Sequence, residues 1–175
     1  MKLNETQLKD IEENGYVILP DCFSNEEVNN LRKAMTTVFK EKTEANIVEK
    51  SSGVVRTAMG LHLRSKIFDD LTRHPKFFEP ACQIRGHNLY IQQTKINVKA
   101  AFTGEVWQWH YDFATHFGED GVPKPLALNL HVFLDDVNEF NGPLFFIPKS
   151  HKYGSAPSKL DTVTTNYPLW VVDQQ

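Results

Sequence analysis

Apolar residues recur at helical spacing through the first half of the chain and alternate with polar ones through the second. Residues 6–14 predict a short helix that stops at Gly15, a residue suited to the left-handed position after a helix C-terminus. Tyr16–Leu19 reads as a short strand closed by Pro20. Ser24-Asn-Glu-Glu27 is a capping box, in which the serine caps the third amide and Glu27 reaches back. The helix it opens lines up Val28, Leu31, Met35, Val38 and Phe39 as a buried face and is predicted to run to about Lys42. Residues 43–55 are polar and predict a mobile loop. A second helical region is predicted over about 65–85, interrupted by Pro75 and Pro80 and stopped by Gly86.

From Leu89 the period changes to two. Leu89, Ile91, Gln93, Lys95 and Asn97 share one face of a predicted strand, and Tyr90, Gln92, Thr94, Ile96 and Val98 share the other. Leu126–Leu134 is a second predicted strand, with leucine or valine at every even position and Ala127, Asn129, His131 and Phe133 opposite. Asn141-Gly142-Pro143 marks a turn, and Leu144–Ile147 a third strand before Pro148. Helices first and strands later predict an α+β, helix-flanked β architecture.

Composition narrows the class. A length of 175 residues suits a single domain over 1–175, with 1–87 as a mainly helical flank and 88–175 as strands. Apolar residues make 41% and charged residues 23% of the chain, which is ordinary for a globular protein. A net charge of -3 without a basic patch argues against a nucleic-acid partner. No run approaches the ~20 apolar residues of a membrane span. The first ten residues lack the apolar core of a secretory signal. Cys22 and Cys82 stand alone, which fits unpaired thiols in a reducing cytoplasm.

The candidate chemistry centres on Trp107-Gln-Trp-His-Tyr-Asp112. On a strand, His110 and Asp112 would point to one face. An imidazole and a carboxylate so placed can share a cation, and a second histidine would complete the facial triad of non-haem Fe(II) oxygenases. The plainer reading is a solvated strand end. Trp107 and Trp109 alternate with the polar positions and suggest a partly dry setting, where a carboxylate needs a partner. Gln93, Lys95 and Asn97 form a polar row that is either a solvated sheet face or a pocket wall. His116, Glu119 and Asp120 fall in a Gly- and Pro-containing loop, and Glu119-Asp120-Gly121 also reads as a plain turn. His131 is either a core histidine or a third ligand, and His151 reads as part of a basic surface loop. No phosphate-binding glycine loop, Cys-x-x-Cys pair or serine-nucleophile elbow is present.

Taken in order, the segments Leu89–Asn97, Trp109-His-Tyr-Asp-Phe-Ala-Thr115, Glu119-Asp-Gly-Val-Pro123, Asn141-Gly-Pro-Leu144 and Ile147-Pro-Lys-Ser-His-Lys152 resemble the phytanoyl-CoA dioxygenase family of Fe(II)/2-oxoglutarate oxygenases. Within it the look is most like the ectoine hydroxylases and related small-molecule hydroxylases. The likeness is clearest over residues 88–152. It implies a double-stranded β-helix, a cupin-like jelly roll, with flanking N-terminal helices. It implies Fe(II), 2-oxoglutarate and O2 as cofactor and cosubstrates, and a small polar or amino-acid-like substrate. His110 and Asp112 match two of the family's iron ligands. Lys95, Asn97, Trp107 and Asn129 match positions around 2-oxoglutarate, with lysine standing where arginine is more usual. Gln93 and His116 match substrate-facing positions, the latter usually a tryptophan in ectoine hydroxylases. A carboxylate at 112 argues against the halogenase variant. The family's distal ligand histidine and its arginine for 2-oxoglutarate lie downstream of a segment that Tyr167-Pro-Leu-Trp170 resembles. The resemblance therefore implies a jelly roll incomplete at the C-terminus, about the first three fifths of such an enzyme, with uncovered faces that would favour homo-oligomers. The competing expectation is a non-catalytic jelly-roll fragment or binding module lacking the third metal ligand.

Overall fold

A computed structural model describes residues 1–102, 107, 109–118 and 120–152, together with the backbone of 158–160 and 168–170. Helix α1 spans Glu5–Asn14 and opens on a full capping box, with Asn4 accepting from the Gln7 amide and Gln7 returning to the Asn4 amide. Gly15 ends it with φ of 88°, in the left-handed conformation that glycine adopts without steric cost. Helix α2, Asn25–Phe39, opens on the Ser24–Glu27 capping box as the sequence predicts. It stops three residues short of Lys42, where the Lys40 amide turns back to Thr37 and Val38 carbonyls.

The region predicted as a polar loop holds one strand and the first residue of another. Strand β1, Asn46–Val48, pairs antiparallel with β2, Val55–Met59, through the turn at 49–53. The charges there do not mean solvation. Glu49 is buried against Arg56, so the hairpin folds its ion pair inward. Helices α3, Leu61–Arg64, α4, Lys66–Thr72, and α5, Pro75–Arg85, follow. Pro75 occupies the first turn of α5, where its missing N–H costs nothing. Strand β3, Lys95–Asn97, then joins the far edge of β2, pairing Thr57 with Asn97 and Met59 with Lys95. The sheet order is β1-β2-β3. Helix α6 covers Asp112–Gly118, a 3-10 turn covers Ser150–Lys152, and the backbones of β4, Ser158–Leu160, and β5, Pro168–Trp170, pair antiparallel.

The core lies between α2 and the sheet. Leu31, Ala34 and Val38 of α2 meet Ala58 of β2, Leu61 of α3 and Phe68 of α4. Burying a side chain such as Val38 or Leu31 stabilises by about 1.5–3 kcal/mol. Arg64 bolts the layers together. Its guanidinium donates to the Met59 and Val38 carbonyls and to Asn46 Oδ1, and pairs with Glu41 at 2.8 Å.

Four predicted strands differ. Only Lys95–Asn97 of the 89–98 run is laddered. Residues 126–134 and 144–147 form no strand ladder among the described residues, and neither does Tyr16–Leu19. Alternation survives in part, since Val132 and Leu134 pack on the α2 core while Phe133 is exposed. A strand requires a neighbour as well as a pattern, and pattern alone does not supply one.

Candidate metal centre and cosubstrate pocket

His110 and Asp112 meet, though not as two positions on one strand. His110 makes an isolated bridge, and Asp112 is the first residue of α6. An acidic residue at that position is favoured by the amide-rich end of the helix. The chain turns between them so that His110 Nε2 lies 3.2 Å from Asp112 Oδ1. Asn129 Nδ2 donates to the other carboxylate oxygen, Oδ2. Hydrogen bonding from His110 holds the Asp112 carboxyl well below the usual carboxylate range, desolvation opposes the shift, and Asn129 and Lys95 reinforce it. Asp112 is therefore an anion at neutral pH, with its two oxygens held in fixed directions.

Lys95 and His131 complete the electrostatic surroundings. Local desolvation lowers the His131 imidazole below its usual value even though the residue as a whole reaches solvent. Asp112 opposes that shift and Lys95 adds to it. Among the described residues no third His, Cys, Asp or Glu completes a metal-binding group, so His131 is not the third ligand in this arrangement. The donor set present, one imidazole nitrogen and one ionised carboxylate, fits two corners of a facial site for a divalent first-row metal.

The other candidates fall into two further groups. Asn97 Oδ1 accepts from the buried Thr57 hydroxyl at 3.1 Å, which fixes the β3 edge. The Arg56 guanidinium lies 4.1 Å from the Trp107 ring centroid. Arg56 in turn pairs with Glu49 at 3.4 Å, and the two side chains are only 12% and 1% exposed. Gln93 lines a separate open cleft of about 440 Å³ with Met59, Tyr90, Ile91, Gln92, Asp120 and Val122. Gln92 Nε2 donates to Asp120 Oδ2 across it at 3.0 Å.

His116 departs from expectation. It sits in α6 rather than a loop, is 6% exposed, and its Nδ1 has no hydrogen-bond partner among the described residues. It does not line the cleft with Gln93. Glu119 and Tyr167 lie outside the described residues. Sequence reasoning missed Glu49 and Arg56, whose signal was the β-branched run Val54-Val55 after Ser51-Ser52-Gly53. His151 is exposed in the 150–152 turn, as the sequence suggests, and its ring also packs against the end of α1.

The described residues thus present a small antiparallel sheet with flanking helices and an imidazole–carboxylate pair near a lysine. The chain belongs to the phytanoyl-CoA dioxygenase (PhyH) family, whose pattern it matches over residues 11–174. It is 36% identical over 154 residues to an ectoine dioxygenase of Bordetella bronchiseptica, covering 86% of this chain and 50% of that protein. It is 37% identical over 140 residues to an L-proline trans-4-hydroxylase of Streptomyces griseoviridis, covering 80% and 52%. The crystal structure of EctD from S. alaskensis with 2-oxoglutarate and 5-hydroxyectoine is similar at a TM-score of 0.66 and 28% identity, over 70% of this chain and 45% of that one. The same enzyme with bound Fe gives 0.61 at 27% identity, over 65% and 42%. The chain spans about half the length of these relatives.

Proposed function

We propose that the full-length protein is an Fe(II)- and 2-oxoglutarate-dependent dioxygenase that hydroxylates a small polar or amino-acid-like molecule. The observation that carries this reading is the His110–Asp112 pair, with Asp112 ionised and oriented by Asn129, in a chain of this family. His110 Nε2 and Asp112 would hold the iron. We expect the third ligand from the part of these relatives that this chain does not span, since its match covers half of the ectoine dioxygenase. Together, iron, 2-oxoglutarate and O2 supply the oxidation: 2-oxoglutarate loses CO2 to give succinate, and one oxygen atom enters a substrate C–H bond.

The residues of this chain bind and orient. Asp112 offsets cation charge, and Asn129 keeps its second oxygen turned away from free rotation. The Lys95 ammonium, near Asp112, is the local cation for a dianionic cosubstrate, with Asn97 on the same strand and Trp107 closing the side under Arg56. Gln93 and its cleft would receive the substrate, where the Asp120 carboxylate favours a molecule carrying an ammonium or amidinium group. The orphan Nδ1 of His116 is the support for giving that residue a polar partner. The fold of the whole would be a single cupin-like jelly roll with 1–87 as its helical flank. Among the described residues no helix is long and apolar enough to cross a membrane, and both cysteines are free thiols, which agrees with a cytoplasmic setting.

The test is succinate release by the full-length protein over a panel of amino acids and cyclic amidine acids. Coupled turnover with at least one is expected, and none with any sinks the reading. A second reading is a non-catalytic jelly-roll module that lacks the third metal ligand. That reading predicts no 2-oxoglutarate turnover under any condition, including the uncoupled reaction.

A further inference from the structure

We propose that Tyr111 is the positioning residue of the His110–Asp112 pair, acting through the 149–151 turn that the end of α1 braces. The proposal rests on the assignment of that pair to metal. Tyr111 stands between the two donors, and its hydroxyl donates to the Ser150 carbonyl at 2.9 Å, 39 residues away in sequence and partly buried. One peptide on each side of Tyr111 leads to a ligand. Any rotation of its backbone therefore swings the imidazole and the carboxylate relative to each other.

The acceptor is held unusually firmly for a surface turn. Lys149 adopts φ of 66°, a left-handed conformation that costs a non-glycine residue about 1–2 kcal/mol. Contacts to α1 hold it there. The Lys149 amide donates to the Asn14 carbonyl at 2.9 Å, and His151 Nε2 lies 3.1 Å from the Glu12 carbonyl. Both carbonyls belong to the last turn of the helix, where no intrahelical amide serves them. The His151 ring fills the space over Gly15 so closely that a Cβ there would lie 2.4 Å from its Nδ1. Tyr16 stacks on Phe146 at 5.1 Å on the other side of the turn. These contacts brace the turn against α1, and the Tyr111 hydrogen bond links it to the segment that carries the metal ligands. Groups that orient metal ligands from outside cost about 10–100-fold in metal affinity when removed, and Tyr111 would act in this way through the backbone it shares with both ligands.

The experiment is an anaerobic Fe(II) titration of the full-length protein, read by quenching of tryptophan fluorescence, with thermal unfolding in parallel. Tyr111→Phe keeps the ring and removes the hydroxyl. It should weaken Fe(II) binding about tenfold or more with little change in melting temperature. His151→Ala acts from the opposite end and should weaken binding in the same direction, with the double variant no worse than Tyr111→Phe. Binding by Tyr111→Phe within about twofold of the parent, well short of that range, overturns the proposal. If Tyr111→Phe does not fold, His151→Ala carries the test, and unchanged affinity there overturns it. His110→Ala separates the two ideas. Lost binding in that variant with normal binding in Tyr111→Phe refutes the positioning role alone. Unchanged binding in His110→Ala refutes the metal assignment, and the positioning role with it.

Discussion

Removing the Arg56 charge should be among the most damaging single changes in the described part of the chain. Glu49 is 1% and Arg56 12% exposed at the side chain, with 3.4 Å between nitrogen and oxygen. At an effective dielectric of about 20, unit charges at that distance attract by about 5 kcal/mol. Desolvating both groups offsets most of that gain, so the intact pair contributes little net stability. Removing one partner is different, because the other loses this ion pair while staying in a dry interior, and breaking a buried pair in this way costs up to about 3–5 kcal/mol. Arg56→Met keeps the apolar stem and loses the guanidinium, including its contact with the Trp107 face, itself worth about 0.5–2 kcal/mol. We expect Arg56→Met to destabilise by about 3 kcal/mol, and Glu49→Gln to do so by less. The double variant should recover part of the loss, giving a coupling energy of about 1.5–3 kcal/mol. Urea denaturation of the four proteins measures it, and the emission of Trp107 should shift in Arg56→Met at zero urea. Additive single effects, with coupling under about 0.5 kcal/mol, would refute the reasoning, because the charges would then not be interacting through a dry interior. Arg56→Lys should restore the charge but not the stacked plane, and therefore only part of the Trp107 signal.

Two further outcomes concern the helical flank. Ser24→Ala removes the side-chain oxygen that accepts from the Glu27 amide at 3.2 Å and should cost about 1 kcal/mol in the same denaturation assay. Glu27 should titrate at about 2 by NMR, chiefly because Lys76 donates to its carboxylate, and Lys76→Met should return it toward the ordinary glutamate value. Since its folded pKa is depressed, the stabilisation it brings is present above that ordinary value and is lost as pH falls from there to about 2.

What was legible in the chain followed from local chemistry. The caps at Ser24 and Gly15 and the buried face of α2 through Leu31 and Val38 depend on neighbours a few residues away, whereas the expected interruption at Pro80 does not occur, since α5 runs through it. Ala34 escaped notice because a small residue carries little hydrophobic signal, yet it is in the core. The β1–β2 hairpin was hidden because its charged residues pair with each other, and an inward-facing Glu49 reads in sequence as a solvated one. The runs at 126–134 and 144–147 have the alternation of strands, but pairing is non-local and no described segment supplies it. His110 and Asp112 were singled out by motif and order. Their placement at a bridge and a helix start, with Asn129 and Tyr111 as their separate tethers, required the folded chain.

The central claim is that His110 and Asp112 hold iron beside 2-oxoglutarate. Adding Fe(II) and 2-oxoglutarate to the full-length protein without oxygen tests it most directly. The account predicts a weak visible charge-transfer band that disappears in both His110→Ala and Asp112→Ala. No band in the parent protein, or a band that persists in both variants, would contradict it.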